Sequence, residues 1–230
     1  MEISNPRSAS SHGLDIHDFD IDSKRRVVDH SEVFTNEREI EGMLNLVEHE
    51  TQRLESRFLE PACGTGNFLA EILIRKLLVI DKTHAGNNLE TERRVLIALS
   101  SLYGIEILLD NVLSCRMRLE SIVKNFFVKV IDNNLDSKFS GSVRKILELN
   151  IVHGDATSLK FISGDPIIFP EWSFVNESML KRRDFSFGHL IEFQEIGAEG
   201  LFSDLGSDVF IPTPVKNFPL VSFLEIENAF

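Results

Sequence analysis

Phe58-Leu-Glu-Pro-Ala-Cys-Gly-Thr-Gly-Asn-Phe-Leu69 decides how this chain is read. A short apolar run, Arg57 to Glu60, enters a turn containing Gly64 and Gly66. Beyond it Phe68, Leu69, Ile72, Leu73 and Leu77 recur at helical spacing, so the stretch reads as strand, turn, helix. Two glycines at the opening of a helix let backbone approach a ligand closely, and the acidic residue that ends the strand puts a carboxylate beside it. This is a nucleoside-cofactor geometry. The spacing is neither Gly-x-Gly-x-x-Gly nor a phosphate loop with Gly-Lys-Ser/Thr, which argues against dinucleotides and nucleoside triphosphates.

Upstream, Ile40, Met43, Leu44 and Val47 fall at i, i+3, i+4 and i+7 after a Thr35-Asn36 start and acidic Glu37 and Glu39, predicting a helix. Downstream, a Gly-Asn-Asn breaker at 86 to 88 precedes a helix to about Ser101, and Tyr103-Gly-Ile-Glu-Ile107 is a short strand candidate. Val112, Leu119, Ile122, Val123, Phe126 and Val130 mark another helix. A polar loop and a short helix then lead into Asn150-Ile-Val-His-Gly-Asp155, and Pro166-Ile-Ile-Phe169 is a further strand candidate. Strands alternating with helices predict an α/β fold with a doubly wound, mostly parallel sheet. Residues 1–30, rich in Ser, Asp and His, read as a flexible N-terminal arm, and 31–202 as the main domain. From 203 to 230 the chain is β-prone and punctuated by prolines, in Val209-Phe-Ile-Pro-Thr-Pro and Leu220-Val-Ser-Phe-Leu-Glu-Ile226. That tail predicts edge strands or a docking segment.

The 230 residues, 43% hydrophobic and 26% charged, suit a globular domain with additions. Two cysteines cannot build a disulfide framework and show no zinc spacing, the N-terminus has no apolar signal region, and the most apolar stretch is broken by Glu71, Arg75 and Lys76. A cytoplasmic protein with neither membrane span nor metal is expected. A formal net charge of −12 opposes binding of a polyanion, which rests on cationic contacts with phosphates. Only Lys181, Arg182 and Arg183, followed by Phe185 and Phe187, offer a local patch for DNA; the alternative is a solvated charged face.

The turn at 60 to 66 resembles motif I of S-adenosylmethionine-dependent DNA amino-methyltransferases, whose glycine turn commonly reads Asp/Glu-Pro-x-x-Gly-x-Gly. Other positions fall in that family's order, over roughly residues 31 to 172. The resemblance implies a Rossmann-like methyltransferase fold that binds S-adenosyl-L-methionine through Thr35, Glu60, Pro61, Ala62, Gly64, Gly66, Asn67 and Phe68. It makes Glu106, beside Ile107, the acceptor for the cofactor's ribose hydroxyls, and Asp155, beside Ala156, the acceptor for its adenine amino group. His153 is expected to be a strand residue, not a catalyst. Glu32-Val-Phe-Thr35 is similar to the segment preceding the glycine turn in the N6-adenine branch, with Asn36 where proline is common; Thr35 as a mere helix cap is the alternative.

The family's acceptor tetrapeptide, Asn/Asp-Pro-Pro-Tyr/Phe, is missing. Its nearest counterpart is Phe169-Pro170-Glu171-Trp172, where Trp172 either stacks on a flipped base or packs in a core, and Glu171 would have to supply the acceptor. The resemblance therefore implies an adenine-N6 DNA methyltransferase, the modification component of a restriction-modification or defence system. The alternative is a catalytically degenerate cofactor-binding subunit. Either way a specificity or restriction subunit, docked through the tail, is expected to bring DNA recognition, with weak DNA binding by the chain alone.

Overall fold

The central layer is built on a strand buried on both faces. In the computed structural model, which describes residues 35–83, 87–131, 136–176, 178–191 and 212–230, three short strands run parallel: β1 (Phe58–Glu60), β2 (Leu102–Glu106) and β3 (Ile151–Asp155). The order is β1-β2-β3, with Phe58 opposite Leu102, Glu60 opposite Gly104 and Glu106 opposite His153. A two-residue strand, β4 (Lys160–Phe161), closes the far edge antiparallel to β3. Along β2 successive side chains go to opposite faces: Leu102 joins the helix-covered core, whereas Tyr103 and Ile105 join Val152, Ile167, Phe169 and Phe187 on the other side.

Three of the helices start at side-chain caps, and the longer ones bury apolar stripes. Asn36 accepts from the Arg38 N–H at 2.8 Å to start α1 (Glu37–Asn45), followed by the single turn α2 (Glu48–Thr51). Only Ile40 and Leu44 of the predicted stripe are buried; Met43 is exposed within the helix, and Val47 falls beyond its end at Asn45. α3 (Asn67–Lys82) buries Leu69, Ile72, Leu73, Leu77 and Ile80. α4 (Asn88–Ser100) and α6 (Ser137–Asn150) are capped by the Asn87 and Asp136 side chains. Between them α5 (Leu109–Phe126) runs into a π-helical turn, Phe127–Ile131. The layer is thus α/β, with two helices in each of the two crossovers.

The predicted strand at 166 to 169 is longer than expected and belongs elsewhere. β5 (Ile168–Val175) and β6 (Met179–Ser186) form an antiparallel hairpin, with β7 (Lys216–Asn217) and β8 (Val221–Ser222) both paired to β6, in a sheet separate from the parallel one. Alternation explains this: Phe169 faces one core and Trp172, Phe174 and Leu180 the other, so the hairpin is covered by apolar surface on two sides. The tail also departs from expectation. Leu220–Ile226 is strand only at Val221 and Ser222, and the chain ends in α7 (Ile226–Ala229). Phe223 and Ile226 are fully buried, and the Ser142 hydroxyl donates to the Phe223 carbonyl at 2.7 Å. The described part of the tail therefore packs on its own chain. Thr35 to Phe230 form one compact unit. The predicted arm at 1–30, Glu32 to Phe34, residues 192–202 and Val209 to Ile211 lie outside the described residues.

No described helix is long and apolar enough to cross a membrane. Among the described residues there is no cluster of three or more His, Cys, Asp or Glu able to hold a metal ion.

Candidate functional site

Backbone hydrogen bonds pin the glycine turn to the middle strand. The Cys63 N–H donates to the Ile105 carbonyl at 3.0 Å, the Gly66 N–H to the Cys63 carbonyl at 2.8 Å, and the Ala70 N–H to the Gly66 carbonyl at 2.8 Å as α3 begins. Gly64 and Gly66 have φ of +52° and +85°, a region in which a side chain is strained. At Gly66 a Cβ would also lie 2.5 Å from Cys115 Sγ, so contact with α5 excludes one as well. Gly104 serves the same seating from below, since a Cβ there would stand 2.9 Å from Cys63 Sγ.

Glu106 holds the turn from the end of β2. Although 42 residues separate them, its Oε2 accepts from the Gly64 N–H at 2.8 Å, and its Oε1 accepts from the Leu108 N–H at 2.9 Å. The carboxylate is 7% exposed, and with two backbone donors it keeps acceptor capacity toward a ligand, because a carboxylate has about four lone-pair sites. Beside it Ile107 is 58% exposed, an apolar face at the carboxyl end of the sheet. Glu60 ends β1 on the same edge, and burial raises its pKa above the ordinary value. Pro61 and Ala62 are exposed on the rim of the turn, and Phe68 is half-buried against the core. Asn67 has its Oδ1 bonded by Arg118 Nη1 of α5, while Gly66 gives the start of α3 no side-chain cap. The first N–H groups of a helix make a cradle for an anion.

Asp155 ends β3. Its Oδ1 accepts from both the Thr157 N–H, at 2.8 Å, and the Thr157 hydroxyl, at 2.6 Å, and these bonds with those from Ser158 hold its pKa below the usual carboxylate value. Ala156 packs on the Ile105 side of the sheet. The ring Nε2 of His153 lies 2.9 Å from the Ile107 carbonyl, a structural tie between β2 and β3. Thr35 is half-buried just ahead of α1. Glu60, Gly64, Gly66, Glu106, Ile107 and Asp155 are thus brought to the carboxyl end of three parallel strands, where open α/β sheets bind ligands.

The proposed acceptor residues are not brought there. Phe169 is buried edge-to-face between Tyr103 and Phe187, with centroids 5.2 and 5.4 Å away. The Pro170 carbonyl already accepts from the Tyr103 hydroxyl at 2.8 Å. Glu171 pairs with Arg57 and Arg183. Trp172 is buried, its Nε1 donating to Asn150 Oδ1 at 2.9 Å, so of the two readings of this ring the core reading holds. The four residues sit inside a strand, where packing claims them, instead of in a loop at the end of one. The basic run does not present its three cations on one face, because successive strand residues face opposite ways. Arg182 is buried in a bidentate pair with Asp184 and stacks 4.3 Å over Phe218, whereas Arg183 points to Glu171 and Lys181 is half-buried.

Two site residues escaped the sequence reading, Cys115 under Gly66 and Arg118 on Asn67. Their only signal was spacing, since 111, 115 and 118 recur at helical intervals on one side of an amphipathic helix. A cavity of about 520 Å³ lies beside the same sheet but is lined by Arg57, Phe58, Leu59, Tyr103, Glu171 and Phe187 among others. It flanks the start of β1, not the glycine turn, and its position away from the carboxyl ends separates it from the chemistry above. No protein-family model matches the chain, and neither the curated proteins nor the solved structures compared with it include a match.

Proposed function

We propose that this chain is the cofactor-holding component of an S-adenosyl-L-methionine-dependent DNA methyltransferase of the N6-adenine kind. In this reading it is a Rossmann-like subunit of a cytoplasmic restriction-modification or defence system, and a partner chain supplies both the acceptor edge and DNA recognition. The observation that carries it is the Glu106 carboxylate gripping the Gly64 N–H at the carboxyl end of parallel strands. The donor set fits the cofactor part by part. Glu106 has lone pairs to spare for ribose hydroxyls, and Ile107 offers an apolar face to a purine. Asp155 stands at the neighbouring strand end for an exocyclic amino group. The N–H groups at the start of α3 suit a carboxylate, and Glu60 suits an ammonium.

When bound, the sulfonium cofactor would supply an electrophilic methyl group; the chain's own task is to bind and orient it. The degenerate reading is preferred to an enzyme complete in itself because Phe169, Pro170 and Trp172 are committed to packing and Glu171 to two arginines.

Glu106→Ala tests the reading. A hydrogen bond to a charged group contributes ~1.5–3 kcal/mol, so titration calorimetry should show S-adenosylmethionine binding weakened by roughly 10- to 150-fold. Asp155→Ala should weaken it too. Affinities unchanged in both folded variants would remove these carboxylates from the site and with them this reading.

A further inference from the structure

The chain's two cysteines meet at the glycine turn. Cys63 lies within the turn and Cys115 on α5, both as free thiols, and the two side chains hydrogen-bond to each other. Their sulfurs fill the spaces that Gly66 and Gly104 leave open: Cys115 Sγ lies 2.5 Å from where a Gly66 Cβ would stand, and Cys63 Sγ 2.9 Å from where a Gly104 Cβ would stand. Cys63 is 6% exposed, whereas Cys115 has no exposure.

We propose that Cys63 and Cys115 are a thiol-oxidation site, joined by peroxide into a reversible disulfide that ties the glycine turn to α5 and lowers its affinity for cofactor. The chemistry stands on the pair itself; the effect on affinity rests on the cofactor reading above. Cys63, the more accessible sulfur, attacks hydrogen peroxide: a sulfur–oxygen bond forms, the oxygen–oxygen bond breaks, and the departing hydroxide leaves as water with the Cys63 proton. Cys115 then attacks the sulfenic sulfur, forming the disulfide, and the displaced hydroxide leaves as a second water with the Cys115 proton. Two thiols lose two electrons and two protons in all, and one peroxide becomes two waters.

The surroundings set the pace. The hydrogen bond with Cys115, burial and the nearby Glu106 and Glu60 carboxylates raise the Cys63 pKa, so little thiolate is present at neutral pH and the pair answers sustained oxidant, not a brief pulse. The turn is a sensitive place for a covalent tie. Cys63 also donates to Ile105 and accepts from Gly66, so a shift of its sulfur toward α5 moves the Gly64 N–H that Glu106 holds.

The full chain is treated with hydrogen peroxide, digested without reduction and examined by mass spectrometry, while calorimetry follows S-adenosylmethionine before oxidation, after it, and after dithiothreitol. A cross-linked peptide joining Cys63 to Cys115 is expected, with affinity lowered by about 5- to 150-fold and restored by dithiothreitol. In Cys115→Ala the cross-link disappears and dimedone traps a sulfenic acid on Cys63. Both thiols remaining free after prolonged peroxide, or a cross-link that leaves affinity unchanged, would overturn the proposal. A reduced protein that binds no cofactor yet forms the cross-link would instead overturn the cofactor reading and leave the oxidation site standing.

Discussion

Trp172→Ala should lower folding stability by about 3–5 kcal/mol, the range for removing a large buried aromatic side chain. The loss has identifiable parts. The indole packs in the helix-covered core, 6.0 Å from the Phe230 ring, and Arg182 lies over it at 5.8 Å. Its N–H is the donor to Asn150 Oδ1, and Asn150 in turn donates from Nδ2 to the Ser100 and Leu102 carbonyls at 3.1 and 2.9 Å. The one tryptophan therefore joins the hairpin sheet to the end of α4 and the start of β2 through a buried amide. Trp172→Phe should keep much of the packing while leaving the Asn150 oxygen without its donor, at a smaller cost of ~1–3 kcal/mol. Urea unfolding followed by far-ultraviolet circular dichroism reads both variants, since the alanine variant carries no tryptophan to fluoresce. An alanine variant as stable as the wild type would refute the core assignment and reopen base stacking by this ring.

Lys76→Met should destabilise the fold strongly and change how its stability depends on pH. Lys76 is completely buried on α3, and its ammonium donates to the Leu54 carbonyl at 3.0 Å, the Ser56 carbonyl at 2.6 Å and Ser101 Oγ at 2.5 Å. The Ser101 hydroxyl spends its own proton on the Ala98 carbonyl, so all three partners are acceptors and each takes one ammonium proton. Methionine of similar length would leave them unpaired, and each buried group left unpaired costs ~1–3 kcal/mol. Burial nevertheless pulls the Lys76 pKa down from 10.5 to about 7. The sign follows from proton counts. Between about 7 and 10.5 the unfolded chain holds a proton that the folded chain has released, so wild-type stability rises with pH across that window, by at most ~1.4 kcal/mol per unit. Below about 7 both states are protonated and the desolvation cost is fully present. Chemical unfolding at pH 6, 7.5 and 9 should show the wild type gaining on Lys76→Met as pH rises; parallel profiles would mean that Lys76 does not titrate in this window.

The parallel layer was legible because its signals are local. Asn36 is a cap that acts within two residues, the breaker at 86 to 88 contains the cap Asn87, and the turn from Glu60 to Gly66 needs only its own glycines to announce a strand-to-helix junction. The strands that carry Glu106 and Asp155 stood out as short apolar runs, and the resemblance alone singled out the two acidic residues. What stayed hidden depends on partners distant in sequence. That the segment after Phe161 leaves the parallel sheet is decided by Trp172 finding Asn150 and by Phe169 finding Tyr103 and Phe187, contacts that no periodicity encodes. Arg182 reads as an exposed cation until Asp184 and Phe218 are seen around it. Glu106 was expected to meet a ligand; that it also clamps Gly64 across 42 residues required the fold.

In the proposed function, the edge formed by Glu60, Gly64, Gly66, Glu106 and Asp155 holds S-adenosylmethionine. Titration calorimetry of the folded, reduced wild-type chain against this cofactor, its demethylated product, ATP and NAD tests it most directly. Saturable binding of the first two, with neither ATP nor NAD binding detectably, is the predicted result. No heat of binding with S-adenosylmethionine at millimolar concentration, in a sample shown to be folded, would mean that this edge is not a site for that cofactor.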